Sequence, residues 1–358
     1  MIRLYYGKIL WRIYSFFEKS AEFFLMKLLL IHVRNEAHIK RKEVIKRKGR
    51  SALSSHVKSS IKDYAKKRFG KADYWPCLAH YTELRGEFIE GWLPYDYYRF
   101  VLLPKINPKP ATYISDFKTF DYRLFGEFAV RPLFALVSGI FLNSEFEIID
   151  KGQFMKFMFD YDNLIVVKED LGWGGSKVRI IHSSSLIIGE LKDGKNYLIQ
   201  PYVKQYKVLN DLYPDCLNTF RITTYLKTDG SVIVKFVELK FGIDGLKVDN
   251  ICAGGNYLLF DLTGRPIKSG FDKWDLEIGD RHKNTRYLFS DLEIPMFNEM
   301  LEKCKNAHKK FPYTRLIGWD VCIDSNGEPK LIEWNTNNPA FPHAEALIGP
   351  LYIDNENI

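Results

Sequence analysis

Two carboxylates and one amide near the C-terminus, those of Asp320, Glu333 and Asn335, have residue types and a spacing that could bind a cation. Two carboxylates that face each other across a β-ladder repel unless a cation or a proton lies between them. Donors that are all oxygen atoms favour magnesium over zinc. The same residue types are also common on a solvated strand face, so the spacing alone leaves both interpretations open.

A β-hairpin is the element that must position these side chains. Its two apolar runs cover residues 316–324 and 330–335, and Asn326-Gly327 between them is a strong hairpin signal. A two-residue turn would place Ser325 opposite Glu328. Counting outward from that turn predicts two further pairs on one face: Asp320 with Glu333, and Gly318 with Asn335. The other face would be a core made of Trp319, Val321, Ile323, Ile332 and Trp334.

A glycine-rich loop upstream has the composition of a phosphate-binding flap. The apolar run Leu164–Lys168 is followed by Gly172, Trp173, Gly174, Gly175 and Ser176, and then by a second apolar run, 178–181. Glycines let backbone N–H groups approach phosphate oxygens, and Lys168 supplies positive charge. Because the second run predicts a strand rather than a helix, a Walker loop and a dinucleotide-binding loop are disfavoured. The pattern favours a flap that covers a nucleotide.

Length and composition indicate a globular chain of two or three domains. The chain has 358 residues, 46% of them hydrophobic, which is enough for a large core. Its five cysteines are scattered and form no C-x-x-C pair, so neither a disulfide framework nor a zinc site is indicated. A reducing cytoplasm is the expected compartment.

The positive charge is concentrated in the first 50 residues. They hold 13 Lys and Arg against four Glu, a balance of +9, and because the whole chain carries +8, the other 308 residues carry −1. A nucleic-acid-binding surface would need a basic patch on the folded body, so no nucleic-acid partner is expected.

The same N-terminal region predicts a basic amphipathic helix. Apolar residues recur there at helical spacing: Leu10, Tyr14, Phe17, Ala21, Phe24, Leu28 and Ile31. Lys27 interrupts the apolar stretch, which is shorter than the roughly 20 residues of a membrane span, and no secretion signal is expected. Two alternatives stay open. The helix could lie on an anionic membrane through Trp11 and the Phe pairs, followed by the basic residues 40–42 and 46–48, or it could pack on its own domain.

The rest of the chain predicts an α+β fold dominated by antiparallel strands. Strands are expected at residues 164–168, 178–181, 197–203, 219–226, 231–241 and 257–261, with a helix at 295–310 before the hairpin. The expected division is an amphipathic basic helical extension at 1–50, an N-terminal mixed α/β unit at 51–150, a lid with the glycine flap at 151–205, and a C-terminal subdomain with the magnesium site at 206–358.

An ordered set of motifs resembles the ATP-grasp superfamily, and most closely the sugar-transfer-associated ATP-grasp proteins of bacterial polysaccharide biosynthesis. The resemblance covers roughly residues 75–350. The motifs are, in order, Val167-Lys168 before the glycine loop, Leu198 to Val203, Asn218 to Arg221, Val248-Asp249-Asn250 with Gly254-Gly255, Gly318-Trp319-Asp320, and Glu333-Trp334-Asn335. The resemblance implies two α+β subdomains that clasp ATP.

By this resemblance, Lys168 contacts the nucleotide phosphates and the flap of Gly172, Gly174, Gly175 and Ser176 closes over them. The hinge residues Gln200, Tyr202 and Val203 present backbone hydrogen bonds to adenine. Asp320, Glu333 and Asn335 hold magnesium, and Arg221 and Lys240 neutralise the transferred phosphoryl group. The family has a further lysine in the preceding segment, for which Lys118 and Arg123 are both candidates.

The implied activity is an ATP- and magnesium-dependent carboxylate-amine ligase that works through an acyl phosphate. Its partners would be a sugar-acid or glycan acceptor and an amine donor, joined as an amide in surface polysaccharide biosynthesis. The implied location is cytoplasmic, with the inner face of the membrane as a further possibility. Two alternatives remain: a kinase acting on a sugar or metabolite, and a non-catalytic nucleotide-binding partner of a glycosyltransferase.

Overall fold

The computed structural model describes residues 2–172, 177–339 and 342–351, which divide into two compact units. The first unit runs to Pro104 and includes the segment that starts at Glu345, and the second unit is Lys105–Ala344. The helices are α1 (Ile2–Lys48), α2 (Ser55–Phe69), α3 (Trp75–Arg85), α4 (Tyr95–Tyr97), α5 (Leu103–Ile106), α6 (Lys109–Thr112), α7 (Asp121–Phe125), α8 (Lys151–Tyr161), α9 (Lys207–Leu212), α10 (Phe297–Lys310) and α11 (Pro342–Ile348).

The first unit is helical, and the C-terminal half of α1 is part of its core. Val33 and Ala37 of α1 are buried against Cys77 of α3. The guanidinium of Arg41 donates two hydrogen bonds of 2.8 Å to the carboxylate of Glu83, and both side chains are buried. Residues 33–48 therefore pack on their own unit. For this part of the helix, the structure shows the second of the two alternatives that the sequence left open. Within the described ranges, no helix is long and apolar enough to cross a membrane.

The second unit contains two antiparallel sheets, of which the smaller is called the lid sheet. Its six strands are ordered β3-β2-β1-β6-β4-β5. They are β1 (Phe134–Val137), β2 (Ile140–Leu142), β3 (Ile148–Ile149), β4 (Leu164–Glu169), β5 (Val178–His182) and β6 (Tyr197–Pro201). Helix α8 begins at a capping box formed by Asp150 and Gln153, and it buries Phe154 and Met158 against one face of this sheet. The opposite face carries Lys168 and Gln200, because side chains alternate along a strand.

The larger sheet has seven strands in the order β11-β10-β9-β8-β7-β12-β13. They are β7 (Thr219–Leu226), β8 (Val232–Phe241), β9 (Asn256–Phe260), β10 (Pro266–Phe271), β11 (Glu277–Gly279), β12 (Leu316–Ile323) and β13 (Pro329–Asn335). Helix α10 buries Met300 and Cys304, one turn apart, in the core on one face. The other face of this sheet carries five predicted site residues: Arg221, Lys240, Asp320, Glu333 and Asn335.

The predicted α+β class with antiparallel strands is confirmed, and six predicted strands correspond to β4–β9. The lid sheet also contains β1–β3, which precede the boundary expected at residue 151. Residues 134–149 join the lid because β1 pairs with β6, a contact between segments about 60 residues apart that local sequence patterns do not report.

The hairpin has the predicted register but a different turn. Asp320 pairs with Glu333 and Gly318 pairs with Asn335, as predicted. The two-residue turn is wrong, because the amide of Asp324 donates to the carbonyl of Glu328, leaving a three-residue loop. A β-bulge between Asp320 and Val321 inserts Ile332 as an unpaired residue and restores the count.

The bulge also changes one predicted core residue. Val321 pairs with Leu331, and Leu331 is buried in the core that contains Trp319 and Trp334. Ile332 is only half-buried and is not part of this core. The prediction of Ile332 as a core residue is therefore wrong, because simple alternation does not continue through a bulge.

The observed turn predicts different effects at its two central positions. Gly327 has φ +87°, whereas Asn326 is absent from the positive-φ residues that a type I′ turn would require. We expect Gly327→Ala to destabilise the protein by about 1–2 kcal/mol, because a side chain there is strained in the left-handed region. Asn326→Ala, the matched control, should change the free energy of unfolding by less than about 0.5 kcal/mol. Urea-induced unfolding measures both, and equal losses would favour the two-residue turn instead.

Candidate active site

Asp320 is the centre of a buried ion cluster on the polar face of the larger sheet. Arg221 lies opposite Asp320 on the adjacent strand β7. It donates from Nε to Oδ1 at 2.7 Å and from Nη2 to Oδ2 at 2.9 Å. Lys240 Nζ lies 3.1 Å from the same Oδ1, and Asn335 Nδ2 lies 3.4 Å from Oδ2. The fold thus brings together four of the predicted site residues.

The charges in this cluster stabilise one another. Burial alone would raise the pKa of Asp320, but the cations of Arg221 and Lys240 outweigh it and hold that pKa well below its usual range. Burial likewise opposes the charge on Arg221 and Lys240, yet the attraction of Asp320 raises the pKa of both. All three groups are therefore ionised around neutral pH.

Glu333 faces Asp320 across the ladder and holds a second lysine. Lys118 Nζ donates to Glu333 Oε1 at 2.7 Å and is almost completely buried, whereas Glu333 retains 30% of its side-chain exposure. Burial lowers the pKa of Lys118, but Glu333 and Asp121 together outweigh that effect and raise it. Arg123 instead stacks over the ring of Phe146, with 4.2 Å from its guanidinium carbon to the centroid. Of the two candidates for the additional lysine, Lys118 is thus the one at the site.

Lys168 connects the lid sheet to the larger sheet through a main-chain atom. Its ammonium group donates to the carbonyl oxygen of Ile332, the unpaired residue of the bulge, at 3.0 Å. The side chain is buried, and this burial lowers its pKa despite the nearby carboxylates of Asp121 and Glu333. Lys168 therefore lies near Glu333, and its predicted contact with the nucleotide phosphates stays a prediction.

Asp121 is a buried carboxylate beneath the two lysines. Its Oδ1 accepts a hydrogen bond of 2.9 Å from the indole Nε1 of Trp334. Burial raises the pKa of Asp121 to about 7, although Lys118 and Lys168 pull it downward. Asp121 thus supplies partial negative charge that balances the two cations and fixes the start of α7 against the hairpin.

The flap is closed at its base by a salt bridge. The amide of Glu169 donates to the carbonyl of Lys177 at 3.1 Å, and Lys177 Nζ lies 2.8 Å from the carboxylate of Glu169. At Gly172 a Cβ atom would lie 2.8 Å from Lys177 Cβ, so only glycine fits this close approach. Gly174, Gly175 and Ser176 lie outside the described residues, so their predicted role stays a prediction.

Asp170 joins the base of the flap to the turn that carries Lys118. It is buried, and its carboxylate accepts from the amide of Thr119 at 3.1 Å and from the hydroxyl of Thr119 at 2.9 Å. The amide of the next residue, Leu171, donates to the carbonyl of Asp116 at 2.8 Å. The flap base and Lys118 are therefore held in one fixed arrangement.

The predicted hinge residues lie on β6 and just beyond it. The side chain of Gln200 is buried and donates to the carbonyl of Val130 at 2.7 Å, so it fastens the strand. Tyr202 and Val203 are half-buried, and the amide of Tyr202 donates to Leu164 at the start of β4. That contact lies about 13 Å from Lys168 along the strand. The structure thus places the hinge and Lys168 toward opposite ends of β4.

The predicted metal ligands fit a cation that arrives with phosphate groups. Within the described ranges, no group of three or more His, Cys, Asp or Glu side chains could hold a metal ion. The predicted set has two carboxylates, Asp320 and Glu333, and the amide of Asn335. Magnesium commonly takes one or two carboxylates and completes its shell with phosphate oxygens and water. The residues therefore fit magnesium bound to a nucleotide better than magnesium held by protein alone.

Three contributors to the site were missed by sequence reasoning: Asp121, Asp170 and Thr119. All three are buried and make contacts with residues more than 50 positions away in the sequence, and no local motif encodes such contacts. One weak signal was present, since Lys118 stands between Asp116 and Asp121 in a short aromatic segment.

The chain is an ATP-grasp protein, as its two antiparallel sheets and its sequence indicate. The sequence matches the family model for sugar-transfer associated ATP-grasp over residues 150–345, which is more than half of the chain. It belongs to this family, so the predicted family and ATP-grasp fold are confirmed. The match begins later than the resemblance predicted at residue 75. A comparison with curated proteins found no match.

Three solved structures are similar to this chain at low sequence identity. The biotin carboxylase of Campylobacter jejuni is 13% identical, with 86% of this chain and 64% of that chain covered and a TM-score of 0.42. The D-alanine–D-alanine ligase of Bacillus anthracis is 14% identical, with 62% and 57% covered and a TM-score of 0.36. The biotin carboxylase domain of Hydrogenobacter thermophilus 2-oxoglutarate carboxylase, in complex with MgADP, is 12% identical, with 62% and 40% covered and a TM-score of 0.38.

This chain spans less than two thirds of each of these structures. At this level of similarity they carry no conclusion about its substrates.

Proposed function

We propose that the protein is an ATP- and magnesium-dependent ligase that joins a carboxylate to an amine. ATP phosphorylates the acceptor carboxylate, which gives an acyl phosphate and ADP. The amine then attacks the acyl carbon, phosphate leaves, and the amine loses a proton as the amide forms. The acceptor class proposed is a sugar acid or a glycan that carries one, and the amine donor is an amino acid or another amine.

The observation that carries this proposal is that each of two opposed carboxylates has a pair of buried cationic side chains next to it. Lys118 and Lys168 lie beside Glu333, and Arg221 and Lys240 lie on Asp320. Phosphoryl transfer needs little from a protein beyond positioning and charge stabilisation, which this arrangement can supply.

Each group has a definite task in this proposal. Lys118 and Lys168 bind phosphate oxygens of ATP, and Arg221 and Lys240 stabilise the charge that develops on the transferred phosphoryl group. Asp320, Glu333 and Asn335 hold magnesium, which neutralises phosphate charge when it is bound. The main chain at Tyr202 and Val203 binds the adenine, and the flap that starts at Gly172 excludes water.

The thiol on the polar face does not favour covalent catalysis. Cys322 is fully buried, and this burial raises the pKa of its thiol to about 12. A thiol with that pKa is protonated at neutral pH and is a poor nucleophile. This supports direct transfer of the phosphoryl group to the substrate.

The test is ADP release by the full chain with MgATP and a panel of uronic acids, each paired with amino acids. We expect release that depends on both substrates, free phosphate equal to ADP, and a product whose mass equals the two substrates minus water. A phosphate group retained on the product would instead identify a kinase. Nucleotide binding without turnover across the panel would favour a non-catalytic partner of a glycosyltransferase, and either outcome would contradict the ligase.

A further inference from the structure

The helix α1 carries an exposed apolar segment, residues Phe23–Ile31, that its own unit does not cover. Exposed fractions there include 63% for Phe23, 64% for Phe24 and 57% for Leu25. The other exposed apolar side chains of the segment are Met26, Leu28, Leu29 and Ile31. Burial in the unit begins at Val33, where α1 starts to pack on α3. The helix therefore changes abruptly from an exposed apolar segment to a packed one.

The distribution of these side chains around the helix distinguishes between possible occupants. Successive residues of an α-helix are rotated by about 100°, so the four consecutive exposed residues 23–26 point in four different directions. A partner helix or a second copy of the chain would cover a stripe along one side. A helix that lies about 5–10 Å deep in a lipid surface has acyl chains around half or more of its circumference, because its diameter is about 10–12 Å. This contact is wider than the stripe that one partner helix covers, so the distribution favours lipid.

The segment is too short to span a bilayer. Its nine residues extend about 14 Å, less than half of the roughly 30 Å hydrocarbon core. No described helix is long and apolar enough to cross a membrane. The remaining arrangement is a helix that lies in the boundary between headgroups and acyl chains, about 5–10 Å deep.

The charge of the N-terminal part specifies the kind of lipid. Residues 2–31 contain five basic residues and two acidic ones: Arg3, Lys8, Arg12, Lys19 and Lys27 against Glu18 and Glu22. Lys27, the polar residue inside the segment, has its ammonium group 4.5 Å from the centroid of Phe23, and its apolar stem lets the charge reach the headgroups. Such a balance favours an anionic surface.

The basic residues farther along α1 contribute less than the sequence predicts. Arg34 donates to Asp96 at 2.9 Å, Arg41 is buried on Glu83, and Lys48 donates to the carbonyl of Leu84 at 2.6 Å. These cations stabilise the first unit. These three cations are therefore less available to lipid, whereas Lys42 and Lys46 are exposed and add to the charge of residues 2–31.

We propose that α1 binds an anionic lipid surface by inserting Phe23–Ile31 among the acyl chains, with residues 33–48 fixing the helix to the first unit. This inference is independent of the proposed ligase activity, because it rests on residues outside the ATP-grasp site.

The test is sedimentation of the full chain with vesicles of phosphatidylcholine and phosphatidylglycerol, and with phosphatidylcholine alone, in the absence of nucleotide. We expect binding to the anionic vesicles and at least tenfold weaker binding for the double variant Leu25→Glu, Leu29→Glu. Leu25→Gln, Leu29→Gln should also bind more weakly, which separates loss of apolar burial from added negative charge. The matched control is Ile148→Glu in β3, an isoleucine that is 73% exposed in the second unit, and it should bind like the unchanged chain.

Three results would overturn the proposal. The first is no sedimentation with anionic vesicles, and the second is equal binding by the double variant and the Ile148→Glu control. The third is a dimer in solution that Leu25→Glu, Leu29→Glu converts to a monomer, without vesicle binding, because a second copy would then cover the segment. Glu333→Gln should bind vesicles normally, so failure of the ligase proposal would not be confused with failure of this one.

Discussion

Asp320→Ala is expected to lower the free energy of unfolding by about 3–5 kcal/mol and to abolish ADP release at the same time. The side chain of Asp320 is 8% exposed and compensates two cations, Arg221 and Lys240, each 12% exposed. Removing the carboxylate leaves both positive charges buried without their main partner. Urea-induced unfolding followed by tryptophan fluorescence measures the stability loss.

Two further variants test the cause of that loss. Adding Arg221→Met to Asp320→Ala should recover part of the lost stability, because one uncompensated charge is removed, whereas Arg221→Met alone should destabilise. Glu328→Ala is the exposed control, because its pair with Lys303 leaves Glu328 43% exposed, and it should cost less than about 1 kcal/mol. A loss for Asp320→Ala no larger than that for Glu328→Ala would refute the buried-cluster explanation.

Glu333→Gln is expected to reduce turnover by about 10²–10³-fold while the protein stays folded. The amide keeps the shape of Glu333 and can still accept a hydrogen bond from Lys118. Because the buried ammonium of Lys118 loses its charged partner, the stability loss should be about 1.5–3 kcal/mol, which is smaller than the loss for Asp320→Ala. The lost charge is the one that faces Asp320 across the ladder, where the proposal locates magnesium. Substrate-dependent ADP release, titrated with magnesium, measures the effect, and the variant should require more magnesium than the unchanged chain.

The matched control for this variant is Glu328→Gln, the same substitution at the other end of the same hairpin. Glu328 pairs with Lys303 near the turn and is remote from the polar cluster. We expect its turnover and magnesium requirement to match those of the unchanged chain. If both variants lost activity equally, or if neither did, Glu333 would have no special role in binding magnesium.

The polar face of the hairpin could be predicted from the sequence because local patterns encode it. Alternation of apolar and polar residues predicted which side chains lie on the polar face and which lie in the core. Asp320 lies opposite Glu333 as expected. The turn prediction failed because Asn-Gly also occurs in three-residue loops, where glycine alone has a positive φ. The predicted pairing of Asp320 with Glu333 was right only because the bulge at Ile332 offset the extra loop residue. No sequence pattern predicted that bulge.

The connections between distant segments could not be predicted in the same way. From the sequence alone, Lys118 and Arg123 are equally good candidates for the additional cation of the site. Only the fold shows that Lys118 contacts Glu333, which is 215 positions away. The anchoring of the flap through Asp170 and Thr119 likewise depends on burial and on two hydrogen bonds between separate segments. The family resemblance indicated ATP and magnesium as the cofactors. The supporting contacts, in contrast, can be seen only in the three-dimensional structure.

The contact between Lys168 and the bulge has a consequence for how the site tolerates mutation. The acceptor is the carbonyl oxygen of Ile332, a main-chain atom, and every amino acid at position 332 would present the same oxygen. We therefore expect side-chain replacement at 332 to preserve the link between the two sheets. Deletion of one residue from β13 would remove it, because the strand would lose the extra residue that forms the bulge. The link is thus protected against substitution but sensitive to a change in the length of the strand.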